Sequence, residues 1–254
     1  MSAAFKRSAV RKSYRTEWVD RWSPPISNRP VRTRMPGGVG GARSGNLTAS
    51  IPIATMKLLH IGCGPKRKDK TTKGFNTSEW SEIRLDIDAS VQPDVIGTMT
   101  DMQAVASESV DAIFSSHNIE HLYAHEVPVA LAEFLRVLKH DGFAVITCPD
   151  LQSVCALVAQ DKLVEAAYTS PAGPITPLDI LYGHRPQMAT GNLFMAHRCG
   201  FTQKVLDGTL RSCGFTTVAS MARGRAPFFD LWALASKAAR SEVEMRALAG
   251  KHFP

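Results

Sequence analysis

No run in this 254-residue chain approaches the roughly 20 consecutive apolar residues that a membrane-spanning helix needs, and the N-terminus lacks the short apolar core of a secretory signal. The expected compartment is therefore the cytoplasm, with no membrane as partner. Cysteine is scarce: Cys63, Cys148, Cys155, Cys199 and Cys213 make an odd count with no CxxC spacing, which excludes a disulfide framework and a zinc knuckle and leaves buried free thiols. The body of the chain also lacks a net charge. Residues 1–55 hold ten of the 30 basic residues against only Glu17 and Asp20, for +8, whereas the remainder carries 20 basic and 21 acidic residues, for −1. The overall +7 is thus a property of one segment, and a near-neutral body has no electrostatic footprint for a polyanion. Nucleic acid is not the expected partner.

What is present reads as globular. Hydrophobic residues make up 44% and charged residues 21%, which excludes disorder throughout and suits one large α/β domain or two small ones. Residues 1–55 stand apart, with scattered Arg and Lys, three prolines between Ser23 and Pro30, and the flexible run Pro36-Gly37-Gly38-Val39-Gly40-Gly41. Such a composition cannot bury enough apolar area to offset chain entropy, so a disordered basic tail is expected. A leader upstream of a start at Met56, or a nucleic-acid or targeting arm, are the other readings. Residues 56–240 are expected as the domain and 241–254 as a short polar helix or tail.

From Lys57 onward, short apolar runs alternate with turn signals. Leu58–Ile61, Ile83–Ile87, Val95-Ile96, Val110–Phe114 and Phe143–Thr147 read as five strands. Val127 to Leu138 repeats its apolar residues at three and four positions and stops at Asp141-Gly142, which predicts a helix. Buried strands joined by crossovers make the class α/β, with a mostly parallel sheet covered on both faces. Phe215–Ala219 and Phe228–Ala235 read as a final antiparallel hairpin.

Such sheets bind ligands beyond the carboxyl ends of their strands. Gly62-Cys63-Gly64 follows the first strand, and two glycines one residue apart let the backbone turn sharply and approach a ligand closely. The dinucleotide fingerprint would need a third glycine where this chain has Arg67, and no GxxxxGK[ST] loop can be built from these glycines. The second strand ends in Asp86, whose carboxylate can accept hydrogen bonds from both hydroxyls of a ribose or simply cap a turn.

Taken together, His60-Ile61-Gly62-Cys63-Gly64, Leu85-Asp86-Ile87, the run Ser109-Val110-Asp111-Ala112-Ile113-Phe114-Ser115-Ser116-His117-Asn118-Ile119-Glu120-His121, and Glu133–Leu138 closing on Asp141-Gly142 resemble the class I S-adenosylmethionine-dependent methyltransferases, over about residues 57–150. Small bacterial methyltransferases of unassigned substrate are the nearest type. The resemblance implies a Rossmann-like, seven-stranded, mostly parallel sheet with an antiparallel C-terminal hairpin and helices on both faces, and S-adenosyl-L-methionine across the ends of the first four strands. Residue by residue, Gly62, Cys63 and Gly64 would pass beneath the methionine part and Asp86 would hold the ribose. Ile87 would pack on the adenine, Thr98 and Met99 would meet its edge, and Ser115 and Ser116 would border the sulfonium. The chain departs from the family at His60, where an acidic residue is common, at Thr98, with Asp101 nearby as a competitor, and after Gly64, where no helical period exists.

Methyl transfer needs a base only when the acceptor must lose a proton. His117 and His121 follow the fourth strand and are the candidate bases, imidazole titrating near neutrality; a helix-start histidine bonded to backbone is the alternative. His117, His121 and His125 fall at i, i+4 and i+8, a metal-ligand spacing only if all lay on one helix; with His117 at a strand end no metal site is expected. Residues 168–201 are rich in Pro and Gly and carry Tyr182, His184, Arg185, His197 and Arg198. This segment reads as a lid over an acceptor with oxygen or anionic groups, or else as an ordinary loop or dimer interface. Lys66 to Lys73 reads as a solvated face or as a patch for an acidic substrate. The expected function is methyl transfer to a small-molecule or glycan acceptor, most simply at oxygen. The alternatives are a non-catalytic cofactor-binding or interaction subunit on the same fold, an RNA-binding protein using the basic segment, or a nicotinamide enzyme.

Overall fold

The computed structural model describes residues 55–254. The expected basic tail therefore lies outside the described residues. Seven strands form one sheet: β1 (Met56–Ile61), β2 (Trp80–Asp86), β3 (Val95–Ile96), β4 (Val110–Ser116), β5 (Leu138–Pro149), β8 (Thr217–Arg225) and β9 (Phe228–Ser236), in the order β3-β2-β1-β4-β5-β9-β8. Pairs among β1 to β5 are parallel, while β9 runs antiparallel to both β5 and β8. This is the Rossmann-like arrangement that the resemblance implies, antiparallel hairpin included. A two-stranded ribbon, β6 (Tyr168–Ser170) with β7 (Gly173–Ile175), stands separately.

Alternation along the strands sorts side chains between two apolar layers. On one face Leu59, Ile61, Ile113 and Ile146 pack with Leu131 and Phe134 of α1 (Val127–Val137) and with Leu206 and Leu210 of α5 (Gln203–Ser212). Helix α5 starts where Thr202 accepts a hydrogen bond from the Val205 amide. On the other face Leu58, Phe114, Phe143, Val145 and Leu234 meet Phe75, Trp80 and Met245. Phe75, fully buried, stands edge-on to Trp80 at 5.0 Å and takes the place of a helix after the glycine turn, where the sequence lacks a helical period. Residues 241–254, expected as a polar helix or tail, form α6 (Glu242–His252), which buries Met245 and His252 against this layer.

The connection after β5 carries α2 (Leu151–Val158), α3 (Pro177–Tyr182) and α4 (Arg185–Ala189), with the ribbon between α2 and α3. Main-chain bonds from Arg198 and Cys199 to the Glu120 carbonyl, at 2.8 and 3.2 Å, tie the end of this connection to the turn following β4. The segment predicted as a lid is therefore anchored at the carboxyl edge of the sheet, where ligands bind in this class of fold.

Candidate functional site

The glycine turn after β1 needs glycine for two separate reasons. Both Gly62 and Gly64 have positive φ, +60° and +52°, which L side chains adopt only at a cost. At Gly62 a Cβ would also lie 2.0 Å from Oδ1 of Asn118, whereas nothing stands within 4 Å of one at Gly64. The Asn118 amide covers Gly62, donating to the Ile61 carbonyl at 2.8 Å and to Ser115 Oγ at 3.2 Å. The space above Gly64 stays open.

Asp86 joins this turn to the end of β2. Its carboxylate accepts from the Gly64 amide at 2.7 Å and from the Asp88 amide at 2.9 Å, one bond to each oxygen, which leaves acceptor capacity on both. Beneath them runs Arg84, 3% exposed, whose guanidinium donates to the carbonyls of Gly64, Lys66, Val91 and Gln92. One buried cation thus braces the loops that follow β1 and β2. An arginine set between Ile83 and Leu85 is the signal in the sequence that could have pointed to it.

Around this frame, Ile87 is half exposed and Ile96 more so, giving an aliphatic surface at the ends of β2 and β3. Thr98 accepts from the Thr100 amide at 3.2 Å, and Met99 packs against the core. Burial pushes the Cys63 thiol up to about 11, so it is a neutral packing group. Ser115 is fully buried beneath Asn118, and Ser116 Oγ lies 2.8 Å from Thr147 Oγ1. His60, at the position where an acid is common, is buried with Nδ1 2.8 Å from Glu82; burial lowers its pKa despite that carboxylate. An open glycine cradle, a carboxylate with free lone pairs and an aliphatic surface beside them fit the methionine part, ribose and adenine of S-adenosylmethionine.

The second half of the site follows β4. His117, at φ +55°, is half exposed and places Nδ1 3.3 Å from Oε1 of Glu120, itself 1% exposed. Burial would raise the Glu120 carboxyl, but the facing imidazoles of His117, His121 and His197 hold it below the ordinary carboxylate range. Burial also opposes charge on His117, yet Glu120 outweighs it and raises the imidazole. His121 and His197 stand edge to face, centroids 4.8 Å apart. His197 Nδ1 meets the Ile180 carbonyl at 2.7 Å and His121 Nδ1 the Ala196 carbonyl at 3.1 Å. Burial lowers the His197 pKa.

Of the residues predicted to meet an acceptor, His197 and Arg198 come to His121. Arg198 lies over the Tyr123 ring at 4.8 Å and reaches the His121 carbonyl at 3.3 Å. Arg185 does not join them, being held by Asp179 at 2.6 Å and by Thr176. Tyr182 is exposed, and His184 precedes the first turn of α4 without capping it by its side chain. His125 stacks on Tyr123, away from Glu120. In the basic loop, Lys68 donates to the carbonyls of Thr77 and Trp80. Sequence reasoning missed the roles of Asn118 and Glu120, although both lie within the run that carried the resemblance.

Known proteins bear on this arrangement in two ways. The family described as "Methyltransferase domain" matches residues 59–146. Among solved structures, the chain is similar to 1,6-didemethyltoxoflavin-N1-methyltransferase of Burkholderia thailandensis, solved with 1,6-didemethyltoxoflavin and S-adenosylhomocysteine, at 15% identity over 73% of this chain and 72% of that one, TM-score 0.46. It is similar as well to a SAM-dependent methyltransferase of Archaeoglobus fulgidus (15%, 73% and 87%, 0.48) and to one of Methanosarcina mazei (16%, 74% and 94%, 0.48). No curated protein matches.

Proposed function

From a chain that carries a class I S-adenosylmethionine-dependent methyltransferase domain, we propose a methyl transfer whose acceptor is a small molecule or glycan and whose acceptor atom is oxygen. The observation that carries this reading is the pairing of half-exposed His117 with the buried Glu120 carboxylate at the end of β4. When bound, S-adenosylmethionine supplies an electrophilic methyl group. Gly62, Cys63, Gly64, Asp86 and Ile87 would hold it, with Thr98 and Met99 at the far edge; at the near edge Ser115 lies beneath Asn118 and Ser116 pairs with Thr147. His117 removes the acceptor's proton at Nε2, and the Glu120 carboxylate, 3.3 Å from Nδ1, stabilises the protonated ring by its charge. His121, His197 and Arg198 form the wall the acceptor meets, together with Tyr123. Arg185 holds the segment's own shape through Asp179, and Tyr182 and His184 stand at its rim.

Two measurements on the full chain test this. Calorimetric titration with S-adenosylmethionine and S-adenosylhomocysteine is expected to give micromolar binding, weakened at least tenfold, about 1.4 kcal/mol, by Asp86→Ala. With carbon-13-labelled methyl donor and a panel of hydroxylated acceptors, the product resonance is expected in the O-methyl region. His117→Gln should lower kcat by about 10²-fold or more with cofactor affinity unchanged. Label appearing on nitrogen or carbon, or a full kcat in His117→Gln, would overturn the oxygen reading.

A further inference from the structure

Behind His117 lies a group of side chains of which proton transfer uses only the charge of Glu120. One donor atom from each of Glu120, His121 and His197 falls within 4.8 Å of the others. Neither Glu120 oxygen accepts a hydrogen bond from any described residue, although the side chain is 1% exposed. The His117 contact at 3.3 Å is an ion-pair contact that does not meet hydrogen-bond geometry. A carboxylate taken out of water and left without donors is costly, so a native protein that keeps one there calls for a positive partner.

The two imidazoles are set up to help supply it. A carbonyl oxygen only accepts, so the Nδ1 contacts of His121 with Ala196 and of His197 with Ile180 fix both rings as Nδ1–H tautomers. Each Nε2 is left with its lone pair. Anchoring one ring nitrogen to a main-chain carbonyl is how proteins orient histidines that bind metal through the other. A cavity of about 10 Å³, the order of one water-sized sphere, borders Glu120, His197, Cys199 and Ile180.

We infer that Glu120, His121 and His197 bind a divalent transition-metal ion of the zinc class, with a coordination position left open. Two imidazoles and one carboxylate suit such ions and leave magnesium and calcium, which want oxygen ligands, poorly served. The ion joins the turn after β4 to the end of the segment after β5, and so fixes the wall between His121 and His197. Its effect on an acceptor oxygen rests on the function proposed above; its binding does not.

The test uses the full chain, stripped with chelator and titrated calorimetrically with zinc, no methyl donor being present. One equivalent is expected to bind with micromolar or tighter affinity, magnesium giving no heat. His121→Gln and His197→Gln should each weaken zinc at least hundredfold, and His125→Ala should leave it unchanged. Cobalt substitution should give ligand-field bands without a sulfur charge-transfer band, which separates this site from one built on Cys199. Zinc should also raise the thermal midpoint of the parent chain and not that of the two variants. Absence of stoichiometric binding, or binding that both variants retain, would overturn the site. Because the readout is metal and not methyl transfer, an inactive enzyme that binds zinc would leave this inference standing and sink the function instead.

Discussion

The C-terminal helix makes stability depend on pH in a calculable way. His252 ends α6 with its ring buried, 4.2 Å from the Phe75 centroid, and its Nδ1 lies 2.7 Å from Thr72 Oγ1. Burial, and secondarily the Lys251 charge, lower its pKa to about 4 from an ordinary 6.5. The unfolded chain therefore takes up a proton at His252 as pH falls through 6.5, while the folded chain resists until about 4. Between these values the unfolded state binds more protons, so this contribution is full above 6.5 and is lost progressively as pH drops toward 4. The loss across the window is about 3 kcal/mol, which for a body of this size shifts the thermal midpoint by about 6–12 °C. The assay is urea and thermal unfolding of the full chain at about pH 7.5 and about pH 4.5, beside His252→Gln, which keeps a hydrogen-bonding amide but does not titrate. His60, also buried with a lowered pKa, acts in the same direction in both proteins and cancels in the comparison. At about pH 4.5, which stops short of the folded pKa of about 4, the parent should have lost about 2.5 kcal/mol more than the variant. Equal losses would refute the reasoning, since His252 would then titrate alike in the folded and unfolded chains.

The glycine turn and the lid anchor give further predictions. Gly62→Ala combines an unfavourable φ, about 1–2 kcal/mol, with displacement of the Asn118 amide and its two hydrogen bonds, about 0.5–1.5 kcal/mol each. Gly64→Ala, with no neighbour within 4 Å of the added Cβ, incurs the backbone cost alone. Urea midpoints should place Gly62→Ala at least 1 kcal/mol below Gly64→Ala, about a fivefold difference in the folding constant, and equal values would mean that Asn118 does not cover Gly62. Arg185→Ala removes the charged partner of Asp179, whose carboxyl the Arg185 and Thr176 contacts hold below its ordinary range against the pull of burial. Limited proteolysis should then cut within residues 168–201 faster while the sheet stays intact. Unchanged cleavage would free Arg185 for an acceptor after all.

Much of the fold was legible because its signals are local. The five parallel strands show as short apolar runs and α1 as a 3.6-residue period; each needs only neighbours in sequence. The α6 helix was harder to place, since Glu242 to His252 is mostly polar and its docking depends on Met245 and His252 meeting Phe75 and Phe143 from far along the chain. Phe75 itself gave no helical or strand period to read. Its role is to fill the layer that the loop after Gly64 leaves uncovered.

The site divides along the same line. Gly62, Gly64 and Asp86 were legible because strand, turn and strand-end carboxylate recur at a spacing the backbone requires. Arg185, read from the sequence as an acceptor contact, is paired with Asp179 in the fold, because sequence reports a cation and not its counterion; Asp179 lies six residues away, and only the fold of α3 and α4 turns the two together. The histidines divide differently. At i, i+4 and i+8, His117, His121 and His125 converge only on one helix, so spacing alone predicts no metal site. In the fold His125 leaves the group and His197 enters, brought there by the Arg198 and Cys199 amides that bond the Glu120 carbonyl. Those main-chain bonds join two segments whatever side chains they carry, so the cluster's geometry is set by the connection and its chemistry by three residues upon it. It follows that His121→Gln and His197→Gln should each remove metal affinity while leaving the fold intact, and that only disruption of the connection itself should remove both.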